Sequence, residues 1–214
     1  LSVCGPLARS AKDLEIAMDI MAGPIEREAR GWQLNLPESR KSNLKDFNVA
    51  IWSNDELAPV SKDISQRCED VGKNLASIGV NVSYTAKPEH DFLKAEINYQ
   101  LLLQSVMQSG MSDDEFKKIE EIASNLDRND LSADAILAKG TVLSHRNWIR
   151  QNYAREQIKI SWSKFFQEWD ILICPQLATT AIKHDHGKIS ERTIMIDNQE
   201  QRFFQQIFWP GLAV

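Results

Sequence analysis

Phe47-Asn-Val-Ala-Ile-Trp52 is followed by Ile64, Cys68, Val71, Leu75 and Ile78 at helical spacing, then by Gly79 and Val80-Asn-Val-Ser-Tyr84. The first run is short and apolar, as a buried strand is. Intervals of three and four residues place the next five apolar side chains on one stripe of a helix. Gly79 ends that helix, since glycine takes a positive φ at no steric cost. Strand, helix and strand within this length form a βαβ unit, which pairs its strands in parallel through a right-handed crossover. The chain therefore reads as α/β.

Working outward, Ser10 and Asp13 mark a helix start. The hydroxyl can accept from a free backbone N–H, and the acid favours the positive end of the helix. Leu14, Ala17, Met18 and Met21 continue at helical spacing, and Gly23-Pro24 closes the segment. Residues 25–46 are polar and irregular, a surface connection. Leu93, Ile97 and Leu101 predict a helix ending near Gly110. Ser112 and Glu115 form a capping box for the next, with Phe116, Ile119 and Ile122 on its inner face. A long helix is expected from Ser144 to Glu168, carrying Trp148, Trp162, Phe165 and Phe166 among its apolar positions. Asp170–Cys174 is a strand stopped by Pro175, and Thr193–Ile196 another, turned by Asp197-Asn198. No internal repeat or low-complexity tract is present.

Composition narrows the function. Hydrophobic residues at 43% and charged residues at 26% suit a folded domain of 214 residues, and a net charge of -5 argues against a nucleic-acid surface. No apolar run reaches the roughly 20 residues that span a bilayer. Cys4, Cys68 and Cys174 are odd in number and widely spaced. They fit small buried residues of a reduced, cytoplasmic protein better than a disulfide framework. The apolar ends, Leu1–Ala8 and Phe208–Val214, predict a chain cut from a larger core.

Gly5-Pro-Leu-Ala-Arg-Ser-Ala-Lys-Asp-Leu14, with Ala22-Gly23-Pro24 closing the helix after it, resembles the segment that follows the nucleophile region in amidase-signature enzymes. Trp169-Asp-Ile-Leu-Ile-Cys-Pro175 is similar to the family's late strand. His184-Asp-His186, Thr193–Ile196 and Phe208-Trp209 resemble its final segment in order and spacing. The resemblance implies a portion of the amidase-signature fold, a mixed β-sheet flanked by many α-helices, with residues 1–214 forming the C-terminal-side part of one domain.

It also implies a chemistry: hydrolysis of a carboxylic amide to an acid plus ammonia or an amine, by a Ser-cis-Ser-Lys triad. Serine needs a base to become a nucleophile, lysine serves as base only when its pKa is lowered, and the oxyanion needs preorganised donors. In the family these parts precede the Gly-Pro-x-Ala-Arg segment. This sequence has no adjacent Ser-Ser or Gly-Gly pair, so no catalytic residue is assigned within it and the chain alone is expected to be inactive. Pro175, Gln176 and Leu177, after the last strand, and Trp209, at a family position near the closing loops, are the candidate substrate-binding residues. The plainer reading makes them turn formers and core. The partners implied are a small-molecule amide, the upstream part of the same domain and, as an option, a second copy in a homodimer. No cofactor or metal is called for. Two alternatives stand beside the amidase: the A subunit of a tRNA-dependent amidotransferase, and a non-catalytic scaffold derived from the fold.

Other constellations carry less. Ser161-x-x-Lys164 has the spacing of penicillin-binding enzymes without their further elements. His184-x-His186, with Asp185 or His145, has two imidazoles but no metal-binding partner motif. Asp113-Asp-Glu115 is explained by the positive end of a helix.

Overall fold

The computed structural model describes residues 5–187 and 191–213, so Cys4 and Val214 lie outside the described residues. The chain divides into two units, Leu1–Ser42 and Asn43–Val214. In the first, helix α1 spans Ala11–Met21, and Ser10 Oγ accepts from Asp13 N at 3.1 Å, as the sequence predicts. No residue of α1 is buried; Leu14, Met18 and Met21 of the expected apolar stripe are all exposed.

The second unit is built on a three-stranded parallel sheet of order β2-β1-β3, where β1 is Asn48–Ile51, β2 Asn81–Ser83 and β3 Ile171–Ile173. Helix α2, Lys62–Ser77, makes the crossover from β1 to β2. Val49 pairs with Val82 on one side and Ile171 on the other. One corner of the sheet is fixed by Asn48 and Asp170. Asn48 N donates to Asp170 Oδ2 at 2.8 Å, while Asn48 Nδ2 donates to Glu168 O at 3.0 Å. Asn81 Nδ2 donates to Asn48 Oδ1, also at 3.0 Å, so one asparagine joins all three strands.

Because side chains alternate across a strand, the two faces of β1 carry different cores. Val49 and Ile51 pack with Val80, Cys68 and Leu75 beneath α2. Trp52 packs on the opposite face with Leu172, Cys174, Trp162, Phe208 and Trp209. The antiparallel pairing expected of a mixed sheet forms a separate hairpin, β4 (Thr193–Ile196) with β5 (Gln199–Arg202). Its turn residues Asp197 and Asn198 have φ of 46° and 67°, in the left-handed region these residue types tolerate.

Around the sheet stand α3 (Phe92–Met107), α4 (Asp113–Asn125), α5 (Ala133–Thr141), α6 (His145–Glu168) and the short α7 (Phe208–Gly211). The Ser112–Glu115 capping box forms, but Phe116 and Ile122, expected on the inner face of α4, are exposed. In α3 the buried positions are Asn98 and Leu102, and Leu93 is exposed. Helix α5 has no counterpart in the sequence-based prediction. It follows a loop held by Lys139, whose ammonium donates to the carbonyls of Asp127, Arg128 and Asp130 at 2.8, 3.2 and 2.6 Å.

Gly140 lets α5 press against α3. A Cβ there would stand 2.8 Å from Gln104 Cβ and 3.1 Å from the Leu101 carbonyl oxygen. Overpacking costs about 1–3 kcal/mol, of which helix propensity returns up to about 1 kcal/mol. Gly140→Ala is therefore expected to lower stability by roughly 1 kcal/mol or more in urea unfolding. Gly110→Ala, whose Cβ meets nothing within 4 Å, should stay within about 0.5 kcal/mol of the parent. Equal stability of the two variants would show that the α3–α5 approach is not tight.

Candidate functional site

In open α/β sheets the crevice outside the carboxyl ends of the strands is where ligands are held. Three loops meet at that edge here. The loop after β1 is folded on its own side chains: Asn54 Oδ1 accepts from Val60 N at 3.0 Å and Asp55 Oδ1 from Leu57 N at 3.1 Å. Asp55 Oδ2 accepts from Trp52 Nε1 at 3.1 Å and from Lys87 Nζ at 3.0 Å, tying this loop to the one after β2. The Lys87 ammonium also lies 4.3 Å from the centre of the Trp52 ring, a cation–π contact. Ser61 N donates to Ala178 O at 2.8 Å, which ties in the loop after β3.

The four expected substrate-binding residues divide by exposure. Gln176 and Leu177 are exposed on the β3 loop, and Pro175 is buried at its base. Trp209 is 2% exposed, its indole N–H donating to Ala58 O at 3.0 Å and its ring 5.5 Å from that of Trp52. Gln205 Nε2 adds a bond to Leu57 O at 3.3 Å. Trp209 thus braces the β1 loop from behind.

One further pair sits beside this edge. His90 Nδ1 and Ser161 Oγ are 3.1 Å apart, and the His90 ring packs on Phe92 with centres 4.5 Å apart. Imidazole beside hydroxyl is the pairing that activates a serine nucleophile, yet acyl transfer also needs oxyanion donors. Ser161 lies well inside α6, where neighbouring backbone N–H groups are used by the helix itself. The pair therefore joins the β2 loop to α6. Ser161 turns to His90, and Lys164 is exposed.

His184 and His186 are exposed with their rings 6.3 Å apart, and Asp185 accepts from Gly187 N in its own loop. Among the described residues no three His, Cys, Asp or Glu side chains converge as metal ligands would. No helix among them is long and apolar enough to cross a membrane.

Asp55, Lys87 and His90 escaped the sequence reading. Their one available signal was position, since each follows a strand at its carboxyl end.

Two outcomes follow. Asp55→Ala strands a nearly buried indole N–H and the Lys87 ammonium, and should cost about 1–3 kcal/mol in urea unfolding. Burial lowers the pKa of His90 below its ordinary 6.5, against the opposing pull of Asp91. The unfolded chain then takes up that proton first. The His90 contribution is intact above the unfolded value, declines as pH falls through it, and levels off below the folded value. The urea midpoint should therefore drop as pH falls through the ordinary histidine value of 6.5, and His90→Phe should flatten that part of the profile. An unchanged slope in His90→Phe would assign the effect to other groups.

Comparison with known proteins places these elements. A family model described as Amidase matches residues 1–204. The chain is 26% identical to the A subunit of the glutamyl-tRNA(Gln) amidotransferase of Saccharolobus solfataricus over 83% of its length and 40% of that protein's. It is 32% identical to the corresponding subunit of Sulfolobus acidocaldarius over 39% of its length and 18% of that protein's. It is 21% identical to indoleacetamide hydrolase of Bradyrhizobium japonicum over 97% of its length and 41% of that protein's. The chain thus spans at most about two-fifths of these curated relatives.

Proposed function

The chain belongs to the Amidase family, and from that premise we propose that it is the C-terminal-side part of a cytoplasmic enzyme that hydrolyses a small carboxylic amide through an acyl-serine intermediate. The family match over residues 1–204 is the observation that carries this reading. The Gly5–Leu14 segment leading into α1 supports it, as does the share of the relatives that the chain covers. In this proposal the nucleophilic serine, the bridging serine, the neutral lysine and the oxyanion donors come from sequence upstream of Leu1. The reaction then needs no metal or organic cofactor: the lysine takes the serine proton through the bridging hydroxyl, the serine attacks the carbonyl, the lysine returns that proton to the leaving amine, and water, deprotonated by the same route, releases the acid and restores the serine.

The part given to residues 43–213 is to shape the acyl side of the crevice. Gln176 and Leu177 present side chains from the β3 loop, Pro175 sets the direction of that loop, and Trp209 holds the facing β1 loop in place. A rigid wall matters because misplacement of an amide carbonyl by about 1 Å can cost two orders of magnitude in rate. A second reading, that the whole protein is the A subunit of a tRNA-dependent amidotransferase, is favoured by the 26% identity to the archaeal protein over 83% of this chain. Isolated hydrolase activity toward small amides separates the two, since a component of such an assembly would need its partners.

The direct test is mass spectrometry after treatment with a serine-reactive fluorophosphonate. The 214-residue chain should gain no adduct, and the protein carrying its upstream sequence should gain one, on a serine before Leu1. A stoichiometric adduct within these 214 residues, with Ser161 beside His90 as the first position to inspect, would overturn the reading.

A further inference from the structure

The two edges of the parallel sheet differ in chemistry. Strand β2 closes one of them with Asn81-Val-Ser83, and Asn81 is exposed. Ser83 Oγ then folds the chain back by accepting from Thr85 N and Ala86 N, at 3.2 and 3.1 Å. A short polar strand is one way in which an outermost edge is kept from pairing. Strand β3 forms the other edge and runs Ile171-Leu-Ile173 into Cys174, with no charge, glycine or proline before Pro175. An unbroken apolar run is what a parallel strand shows in a sheet's interior, and it is not a guarded edge.

Burial separates β3 from the central strand. Ile171 and Ile173 pack with Cys68 beneath α2, and Leu172 packs on the opposite face with the cluster around Trp52. Both faces are filled, yet all three residues are only half-buried, whereas Val49, Ala50 and Ile51 of β1 are at most 2% exposed. The strands differ in their neighbours: β1 has one on each side, and β3 has β1 alone.

The ladder shows which backbone groups are left. Alternate residues of a strand bond to one neighbour, and those between them turn N–H and C=O the other way. Ile173 O accepts from Trp52 N at 2.9 Å, and Ile51 stands opposite Ile173, so Ile171 and Ile173 face β1. Leu172 presents one donor and one acceptor to the outer side, where no other described segment meets them. A helix laid over a face of the sheet does not answer these groups. A further strand does, at the sheet spacing of about 4.8 Å.

We propose that the sheet continues past β3, through an extended segment from the sequence upstream of Leu1 that is hydrogen-bonded to Leu172; this rests on the reading of the chain as part of one longer amidase domain. The chain covers 40% and 41% of two relatives that it matches over most of its own length, so the larger share of such a protein is free to supply the strand. A second copy is the poorer occupant. It would have to repay the lost freedom of a whole molecule through an edge of three residues. With the added strand, β3 lies inside the sheet, and the loop bearing Gln176 and Leu177 stands between the β1 loop and upstream chain.

Amide hydrogen exchange by NMR tests it, in the protein carrying its upstream sequence and in the 214-residue chain. In the longer protein the Leu172 amide should exchange about a hundredfold or more slower than an unprotected amide, as that of Ile173 does, at any protein concentration. A nuclear Overhauser contact from that amide should reach a residue before Leu1. In the 214-residue chain Leu172 should be fast while Ile173 stays slow. Fast exchange of Leu172 in the longer protein would overturn the proposal, even where the short chain is unfolded. So would protection lost on dilution, which assigns the edge to a second copy, or equal protection of Leu172 in a folded short chain. The fluorophosphonate adduct is read separately. A protected Leu172 without an adduct would sink the hydrolysis alone, and an adduct with a fast Leu172 would sink the strand alone.

Discussion

The burial of β1 is the constraint from which the remainder of the second unit follows. Val49, Ala50 and Ile51 are at most 2% exposed, and a parallel strand at the centre of a sheet needs partners on both edges and cover on both faces. Neighbours β2 and β3 satisfy its backbone. The α2 stripe covers the Val49–Ile51 face, and the Trp52, Trp162, Phe208 and Trp209 rings cover the other. A strand so enclosed cannot end in a polar loop without provision for its backbone and side-chain groups. Asn48 makes that provision at one end of the sheet. Asn54 and Asp55 make it at the other, and the carboxylate of Asp55 serves Trp52 and Lys87 together.

This arrangement explains why the β1 loop borders both the crevice and an open cavity between α2 and the β4–β5 hairpin. Its carbonyls at Leu57 and Ala58 receive Gln205 and Trp209 from the end of the chain, while Asn54 and Val60 line the cavity against the hairpin. A loop fixed by so many local bonds is a rigid wall rather than a lid. Its polar groups are mostly consumed in making it rigid.

Much of the fold was legible in the sequence because it rests on periodicity. The β1–α2–β2 unit, the long α6 and the strand before Pro175 all announce themselves by spacing and by their stops. Helix α5 did not, being nine residues long with glycine and threonine at its end, and it is held by contact of Gly140 with α3. Strand β5 reads Gln-Glu-Gln-Arg and owes its form to the tight Asp197-Asn198 turn that folds it onto β4. The apolar positions of α4 were legible as a stripe, but a stripe does not say whether anything covers it, and Phe116 and Ile122 are uncovered. Polar pairs were least legible. Asp55 with Lys87 and His90 with Ser161 are 32 and 71 residues apart, and a single bond across such distances leaves no repeating signal. Trp209 was legible as a residue worth naming, yet its two properties, large area and one donor, serve a buried brace as well as a substrate wall.

Function in such a chain is best sought among polar groups that the fold leaves over. Lys87, Lys139 and Trp209 are each committed to a carboxylate or to carbonyls in the structure. Lys62 and Gln201 look ordinary, and they are among the groups the fold leaves uncommitted. Folding selects strongly against buried polar atoms without partners, at a cost of about 1–3 kcal/mol each. The same reasoning weighs Gln176 and Leu177 in the crevice. Their side chains are exposed, and the base of the β3 loop is fixed by Pro175 and by the Ser61 bond to Ala178. They are free to be chosen by what they contact rather than by what they support.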